Sequence, residues 1–208
     1  MSLLDVTGLT IRYGDDTVVD GVDLYIESGE SVGLVGESGS GKSQSALAIL
    51  GLLPPQADVS GSIEFDGQEL LGMGERQLDK VRARRIGIVF QDPMQALNPY
   101  LRVGTQLRQV LLGHGLATGA DADARVIAML ERVGLPDPER QFRAWPHEMS
   151  GGMRQRAMIA AALIGGPDLL IADEPTTALD VTVQAQVLEM LEDIRDDTAL
   201  LLITHDLG

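Results

Sequence analysis

The sequence predicts an α/β fold with a mainly parallel sheet core, an antiparallel β subdomain and a helical insertion. Strand and helix patterns alternate in the last third of the chain, which predicts a parallel sheet with right-handed crossovers. Strands of alternating polarity open the chain, and helix-spaced apolar residues fill its middle. The 208 residues, 44% of them apolar, suit one domain over 1–208, with a core at about 1–90 and 165–208 and the insertion at about 91–164.

The first part of the chain is predicted to form mainly strands. Alternating apolar and polar residues predict strands at 3–13 and 18–26, and turn-forming residues follow each of them. A continuous apolar run predicts a buried strand at 31–35. A helix is expected at 42–53, where a proline pair ends it, and a further strand at 61–67.

The remaining patterns predict the insertion and the rest of the parallel sheet. Helix-spaced apolar residues predict two helices of the insertion, at 103–113 and 122–133. The other predicted elements are a strand at 86–90, a helix at 151–164, a strand at 168–172, a helix at 181–195 and a strand at 199–203.

Composition narrows the range of partners. The formal net charge is -15, from 16 basic and 31 acidic side chains, and such a surface repels nucleic-acid backbones and anionic lipids. We therefore expect no nucleic-acid partner. Cysteine is absent, which excludes disulfides, a thiol nucleophile and a Cys-based metal site. No apolar run is long enough to span a bilayer, and no secretory signal is visible. If the protein works at a membrane, we therefore expect it to be a peripheral subunit.

A glycine-rich segment lies between the strand predicted at 31–35 and the helix predicted at 42–53. Residues 36–43 read GESGSGKS, which matches G-x-x-x-x-G-K-[ST] in the strand–turn–helix context of a phosphate loop. Glycines let backbone N–H groups surround phosphate oxygens, and the helix N-terminus adds its positive dipole end. We expect Lys42 to neutralise the β- and γ-phosphates and the Ser43 hydroxyl to ligate Mg²⁺. The alternative interpretation is a flexible glycine turn.

Two adjacent carboxylates end a predicted apolar strand. Residues 169–174 read LLIADE, which puts both carboxylates at the carboxyl edge of the sheet, beside the phosphate loop. We expect Asp173 to hold Mg²⁺ and Glu174 to polarise the attacking water as general base. The alternative is a strand followed by an ordinary polar loop.

A third segment with adjacent glycines lies at the start of the helix predicted at 151–164. Residues 149–156 read MSGGMRQR and precede a helical pattern, so Ser150, Gly151 and Gly152 form a helix N-terminus able to bind an anion. This segment resembles the signature motif of the ABC ATPases, and the resemblance spans essentially the whole chain, with six motifs in the family's order. It implies a P-loop NTPase fold of the ABC type that uses ATP and Mg²⁺.

The resemblance gives roles to residues in other parts of the chain. Tyr13 matches the aromatic residue that stacks on adenine, and Gln91 matches the glutamine loop that touches Mg²⁺ and the transmembrane partner. Residues 178–180 resemble the D-loop, and His205 resembles the switch histidine that contacts the γ-phosphate. The alternatives are a strand-end aromatic for Tyr13, a plain loop residue for Gln91 and a surface imidazole for His205.

The expected site therefore has three sets of residues. The catalytic set is Glu174, His205 and Gln91, and the metal-binding set is Ser43, Gln91 and Asp173. The nucleotide-binding set is Tyr13, Gly36, Glu37, Ser38, Gly39, Ser40, Gly41, Lys42, Ser43, Gln44, Ser150, Gly151, Gly152 and Asp180.

Two segments are similar to those of one importer subfamily. Residues 145–156 (WPHEMSGGMRQR) and 91–99 (QDPMQALNP) resemble the dipeptide, oligopeptide and nickel importers, as does the phosphate loop followed by QSA. The resemblance implies an ATPase subunit that powers import of peptides or similar small solutes, with nickel left open, at the cytoplasmic side of the cell membrane. The implied partners are a second ATPase subunit, of the same or a different chain, transmembrane permease subunits and, indirectly, a periplasmic or extracellular solute-binding protein.

The resemblance also implies a mechanism. Two ATPase domains sandwich two nucleotides, so that the phosphate loop, carboxylates, Gln91 and His205 of one face residues 150–152 of the other, and hydrolysis reopens the dimer. Two other functions stay open, a soluble ABC ATPase acting on nucleic acid or ribosomes and a regulatory module without turnover. The net charge argues against the first, and the pair Glu174 and His205 against the second.

The end of the chain differs from the family's usual pattern. Gly208 follows soon after His205, whereas family members usually continue well beyond that histidine. We therefore expect a C-terminal part of the domain to be missing from this sequence.

Overall fold

The computed structural model describes residues 2–176, 181–194 and 198–205. Within these ranges the chain forms a parallel and an antiparallel sheet joined to a group of helices, which confirms the predicted fold class. The strands are β1 (Ser2–Tyr13), β2 (Asp16–Glu27), β3 (Ser31–Val35), β4 (Ala57–Phe65), β5 (Gln68–Glu69), β6 (Ile86–Val89), β7 (Leu169–Asp173) and β8 (Ala199–Thr204). The helices are α1 (Lys42–Ile49), α2 (Glu75–Val81), α3 (Pro93–Ala96), α4 (Val103–Gly113), α5 (Gly119–Arg132), α6 (Pro138–Arg143), α7 (Gly151–Leu163) and α8 (Val181–Ile194).

The antiparallel sheet has the order β2-β1-β4-β5 among the described strands. Strand β1 fully encloses Leu4, Leu9 and Ile11, and a register shift between Val6 and Leu9 interrupts the simple alternation of its side chains. This sheet packs with α1 and one face of the parallel sheet in a common apolar cluster. Its position matters for the site because β1 ends at Tyr13, close to the start of α1.

The parallel sheet has the order β3-β8-β7-β6 among the described strands. Every residue of β7 is buried, and its side chains alternate between two apolar clusters because successive side chains of a strand point to opposite faces. Leu169 and Ile171 face the cluster shared with the antiparallel sheet, and Leu170 and Ala172 face the one formed with the helices. Strand β7 thus holds its last residue, Asp173, between two packed layers.

Helices α3 to α7 lie between β6 and β7 in the sequence. Apolar residues at helical spacing, such as Leu107 and Leu111 on α4 and Val126 and Leu130 on α5, are fully buried against α7 and the sheet. The bounds of α4 match the sequence prediction, and α5 begins three residues earlier than predicted, at Gly119. No described helix has the length and apolar character that crossing a membrane would require.

Three predictions about elements are wrong in detail. The strand predicted at 61–67 begins four residues earlier, as β4, and ends at Phe65. Strand β3 is not buried, because it lies at an edge of the sheet as described, and Val35 is 44% exposed. Helix α1 ends at Ile49 and not at the proline pair. Gly51 takes φ +61°, its N–H donates to the Ala48 carbonyl, and the Leu52 N–H donates to Leu47, which is a Schellman ending.

Four short elements were not predicted. Helices α2, α3 and α6 and strand β5 each span only a few residues, too few for a hydrophobic period to be recognised. The start of α6 carried a signal that could have been used: Asp137 caps the helix and Pro138 occupies its first turn.

Candidate nucleotide-binding site

A cavity of about 320 Å³ opens where β1, the start of α1 and the carboxyl edge of the parallel sheet meet. Its volume lies at the lower end of the range of small-molecule sites, about 300–1,000 Å³. The structure thus brings together residues from distant parts of the sequence. The cavity is lined by Tyr13, Val18, Ser38, Gly39, Ser40, Gly41, Lys42, Ser43, Gln44, Gln91 and Glu174.

At its last turn, the glycine loop takes a backbone conformation and makes a close contact that only glycine allows. Gly41 is the N-cap of α1 with φ +88°, and a Cβ there would lie 2.4 Å from the carbonyl oxygen of Val18. The loop therefore packs directly on β2. No side chain caps α1, and the first N–H groups of any helix lack acceptors inside the helix. These N–H groups and the positive end of the helix dipole are available to an anion.

Lys42 holds its positive charge inside this loop. The Lys42 Nζ donates to the carbonyl oxygens of Gly36 at 2.7 Å and Glu37 at 2.8 Å, and the residue is 8% exposed. An ammonium group has three N–H donors, so one remains for a ligand beyond these two carbonyls. Gly36 and Glu37 thus contribute to the site through their backbone and do not line the cavity themselves.

Asp173 has the environment of a cation ligand. Burial raises the pKa of its carboxyl group; a hydrogen bond with Ser43 lowers it, the charge of Glu174 raises it and the charge of Lys42 lowers it. Its Oδ1 atom is buried and has no hydrogen-bond partner, an arrangement that is unfavourable unless a ligand supplies one. Ser43 and Asp173 together fit Mg²⁺, which takes few protein oxygens and fills its shell with phosphate oxygens and water. The described residues contain no group of three or more His, Asp or Glu that could hold a metal without such additional ligands.

Glu174 is contacted through both of its carboxylate oxygens. The Gln91 Nε2 donates to Oε2 at 2.9 Å, and the His205 Nδ1 lies 3.4 Å from Oε1. The three residues expected to be catalytic are therefore adjacent. Glu174 also has φ +46°, a left-handed conformation that costs a residue with a side chain about 1–3 kcal/mol and that clusters at functional sites.

Tyr13 lies at the edge of the cavity, where its hydroxyl donates to the Gln44 Oε1 at 2.7 Å. This bond ties the end of β1 to the first turn of α1. Val18 lines the same cavity and was not predicted, because its backbone contact with Gly41 leaves no pattern in the sequence.

Ser150, Gly151 and Gly152 do not line this cavity. Ser150 is the N-cap of α7, its Oγ accepting from the Met153 N–H at 3.3 Å, so the predicted helix N-terminus is present. A Cβ on Gly152 would lie 2.9 Å from Val183, which explains the close packing of α7 on α8. Asp180 and the rest of the segment that resembles the D-loop lie outside the described residues.

Comparisons with known proteins agree with this geometry. A family profile described as "ABC transporter" matches residues 19–177. The chain is 49% identical to the oligopeptide transport ATP-binding protein OppD of Salmonella typhimurium, over 99% of this chain and 63% of that protein. It is 52% identical to a probable peptide ABC transporter ATP-binding protein, y4tR, of Sinorhizobium fredii, over 99% and 64%. The chain therefore spans slightly less than two thirds of the length of these relatives.

Solved structures share the fold. A dimeric ATP-binding cassette in a post-hydrolysis state, bound to ADP and Pi, superposes with a TM-score of 0.85 at 29% identity, over 98% of this chain and 88% of that one. The cbiO1 component of the cbiONQ transporter complex of Clostridium perfringens gives 0.81 at 29% identity, over 99% and 79%. On the profile match, the sequence identity and the shared fold, this chain belongs to the ABC transporter family, as its ATP-binding cassette.

Proposed function

We propose that this chain is the ATP-hydrolysing subunit of an ABC importer for peptides or similar small solutes. The observation that carries the proposal is one cavity in which Lys42 and the glycine loop lie opposite Glu174. The names of the relatives, which are oligopeptide transport ATP-binding proteins, support the solute class. A nickel importer remains compatible with the same geometry.

The phosphate end of the cavity binds and orients the nucleotide. The first N–H groups of α1 and the Lys42 ammonium hold the phosphate oxygens, and Tyr13 stacks on the adenine ring. Ser43, Asp173 and Gln91 hold Mg²⁺, which supplies positive charge against the phosphate oxygens during transfer. Lys42 is already fixed by two loop carbonyls, so little ordering is left for the moment of binding.

The carboxylate end activates water. Glu174 accepts a proton from the water that attacks the γ-phosphate, and His205 contacts that phosphate. Gln91 donates its Nε2 to the Glu174 Oε2, which leaves its Oε1 as the atom that would ligate the metal. Hydrolysis is thereby coupled to the position of Gln91.

Two copies of such a cassette form the working unit. Ser150, Gly151 and Gly152 lie outside the cavity of their own chain and present a helix N-terminus, which suits the γ-phosphate held by a second ATPase subunit. The cassette neighbour in the post-hydrolysis state is dimeric, which supports this arrangement. We further propose that residues 91–164 move as an insertion against the core at 1–90 and 165–208 when the pair closes.

A groove beside Gln91 suits the permease. It has a volume of about 310 Å³ and a largely apolar lining that includes Leu52 and Phe90, which are 41% and 39% exposed. Apolar side chains left open in this way favour a protein partner, and Phe90 immediately precedes Gln91 in the chain. On this proposal, which the names of the relatives support, the chain works as a peripheral subunit on the cytoplasmic side of the membrane. In co-purification with the permease subunits, Leu52→Asp should weaken recovery; recovery with nucleic acid or ribosomes instead would contradict the importer.

The proposal is tested by phosphate release from ATP. Glu174→Gln keeps the shape of the side chain and removes its basicity, so turnover should fall by about 1,000-fold while nucleotide binding persists. Glu131→Gln, an exposed position on α5, is the control and should turn over ATP as the wild type does. Unchanged turnover in Glu174→Gln would remove Glu174 from its proposed role, and no turnover in the wild type would refute the function.

A further inference from the structure

Two glutamine amides hold the segment that follows Glu174. Gln155 lies on α7, is 1% exposed, and its Nε2 donates to the carbonyl oxygen of Pro175 at 2.5 Å. Gln184 lies on α8, and its Nε2 donates to the carbonyl oxygen of Thr176 at 3.1 Å. Loss of a buried donor leaves the carbonyl without that partner, which is unfavourable. Two different helices therefore fix successive carbonyls directly after the proposed general base.

The backbone at this point needs external support. Glu174 has the left-handed φ of +46°, which a residue with a Cβ keeps only when its surroundings enforce it. Pro175 has no N–H, so this residue can be held by a backbone hydrogen bond only through its carbonyl. The Glu174 N–H donates to the Ile203 carbonyl at 2.9 Å. That bond and the one from Gln155 clamp the Glu174–Pro175 peptide from both sides.

We propose that Gln155 is a positioning residue for ATP hydrolysis. It does not line the cavity; it holds the Pro175 carbonyl and thereby keeps Glu174 in the conformation that aims its carboxylate at Gln91 and the cavity. Helix α7 begins at Gly151, so the same helix that starts with the signature segment also sets the geometry of the catalytic strand end in its own chain. The proposal rests on the proposed function.

The chain contains a matched control. Gln141 on α6 is 7% exposed, and its Nε2 donates to the carbonyl oxygen of Pro136 at 3.1 Å, away from the cavity. Gln155→Met and Gln141→Met each replace a buried amide with an apolar chain of similar length and deprive one proline carbonyl of its donor. Both variants are therefore expected to lose thermal stability to a similar extent.

The test separates catalysis from binding and stability. In Gln155→Met, kcat for ATP should fall on the order of 10- to 100-fold, as for a misplaced catalytic group. Binding of a non-hydrolysable ATP analogue should stay within about twofold of the wild type, since α1 and Lys42 are untouched. Gln141→Met should keep its kcat. Equal loss of kcat in both variants, or an unchanged kcat in Gln155→Met, would overturn the proposal.

A second variant tests the hydrogen bond itself. In Gln155→Glu the new side chain donates to the Pro175 carbonyl only when it is protonated. The ratio of its kcat to that of the wild type, measured at each pH, should therefore rise as the pH is lowered. A ratio that does not change with pH would contradict a donor role for Gln155.

A readout without turnover separates this proposal from the function on which it rests. Amide hydrogen exchange in a peptide covering residues 173–176 should be faster in Gln155→Met and unchanged in Gln141→Met. A wild type that hydrolyses no ATP but gives this exchange pattern would refute the function, and with it any role of Gln155 in hydrolysis, while confirming that Gln155 holds the segment after Glu174. Normal wild-type turnover with unchanged exchange in Gln155→Met would refute only the positioning role.

Discussion

Helices α1 and α7 both begin at glycine-rich segments, yet their N-termini are built differently. Helix α1 starts after Gly41, which is left-handed and supplies no side-chain cap. Helix α7 starts after Ser150, whose hydroxyl accepts the Met153 N–H at 3.3 Å. The first helix end faces the cavity, whereas the second lies outside that cavity, with Gly151 exposed.

On the proposed function, this difference would let one chain offer two kinds of phosphate-binding end. An uncapped N-terminus next to a buried lysine leaves its N–H groups for a ligand, so α1 builds a site within its own chain. A capped N-terminus folds stably without a ligand and can stay exposed until another surface meets it. We therefore interpret the glycine loop at 36–43 and the start of α1 as a complete phosphate site, called the cradle below. The start of α7 is interpreted as one half of a site shared with a second subunit.

Loss of the lysine in the cradle should have the largest effect. Lys42→Ala removes the charged donor at the phosphates, and affinity for a Mg²⁺-bound ATP analogue should fall by about 100-fold, since hydrogen bonds to charged groups are strong. This affinity is measured by calorimetric titration. Lys80→Ala on α2, where the side chain is exposed, is the control and should bind as the wild type does. Undiminished affinity in Lys42→Ala would contradict the cradle.

The shape of the cradle is tested by two glycines. Gly41 and Gly39 both have positive φ, but a Cβ at Gly41 would meet Val18 at 2.4 Å whereas one at Gly39 has nothing within 4 Å. Gly41→Ala should therefore destabilise the protein by about 3 kcal/mol, because the new Cβ adds a clash to the backbone strain. Gly39→Ala adds backbone strain alone and should destabilise the protein by about 1 kcal/mol. Chemical denaturation measures both. Equal losses would mean that the contact with β2 does not shape the loop.

The capped end should give a smaller change in stability. Ser150→Ala removes the cap of α7 and should cost about 1 kcal/mol of unfolding free energy. Binding of the ATP analogue to the dilute protein should be unchanged, because Ser150 lies outside the cavity of its own chain. Turnover should fall nevertheless if the helix end serves a second subunit. A variant that loses analogue binding in the monomer would place Ser150 in its own chain's site.

In a third group, the backbone N–H donors are already bonded to a side chain of the protein, that of Glu69. Substitution of this side chain should have the smallest effect on stability. Glu69 Oε1 accepts from the N–H groups of Ile63 and Leu71, both at 2.9 Å, and Oε2 accepts from the Ser62 hydroxyl at 2.5 Å. Burial raises the pKa of Glu69, but these hydrogen bonds outweigh burial and the pKa lies below its ordinary value of 4.5.

This lowered pKa predicts the sign of a pH dependence. The ionised form is favoured in the folded state, so its stabilisation is complete above the ordinary pKa and is lost as the pH falls through the lowered one. Glu69→Gln should cost about 0.5 kcal/mol at neutral pH after allowance for solvent screening, and nothing in acid. Glu64→Gln, at an exposed position of β4, serves as control in the same denaturation series. A loss that is independent of pH would contradict the assignment.

The sequence predicted much of the fold because strands and helices here follow simple periods. The alternation in β1 and the helical spacing in α4 gave bounds within a residue or two of the structure. The end of α1 was missed because Gly51 stops the helix before the proline pair does. The exposure of β3 was missed because an apolar run does not state whether a strand lies at the centre or the edge of a sheet.

The site could be anticipated only where motifs mark it. Lys42, Asp173 and Glu174 follow from the loop and strand patterns, whereas Tyr13, Gln91 and His205 needed the family resemblance. Gln155 could not be anticipated, since its contact with Pro175 depends on how α7 packs beside the end of β7 across 20 residues of sequence. Such a contact is a property of tertiary packing and leaves no local pattern.

The central claim is that a nucleoside triphosphate lies in the cradle at the start of α1 with its terminal phosphate toward Glu174. The most direct test is a crystal structure of the Glu174→Gln variant with Mg²⁺ and ATP. We expect intact ATP, its β- and γ-phosphates on the N–H groups at the start of α1 and on Lys42, and a metal beside Ser43 and Asp173. A nucleotide bound at another place, or a cradle left empty at saturating ATP, would contradict the account.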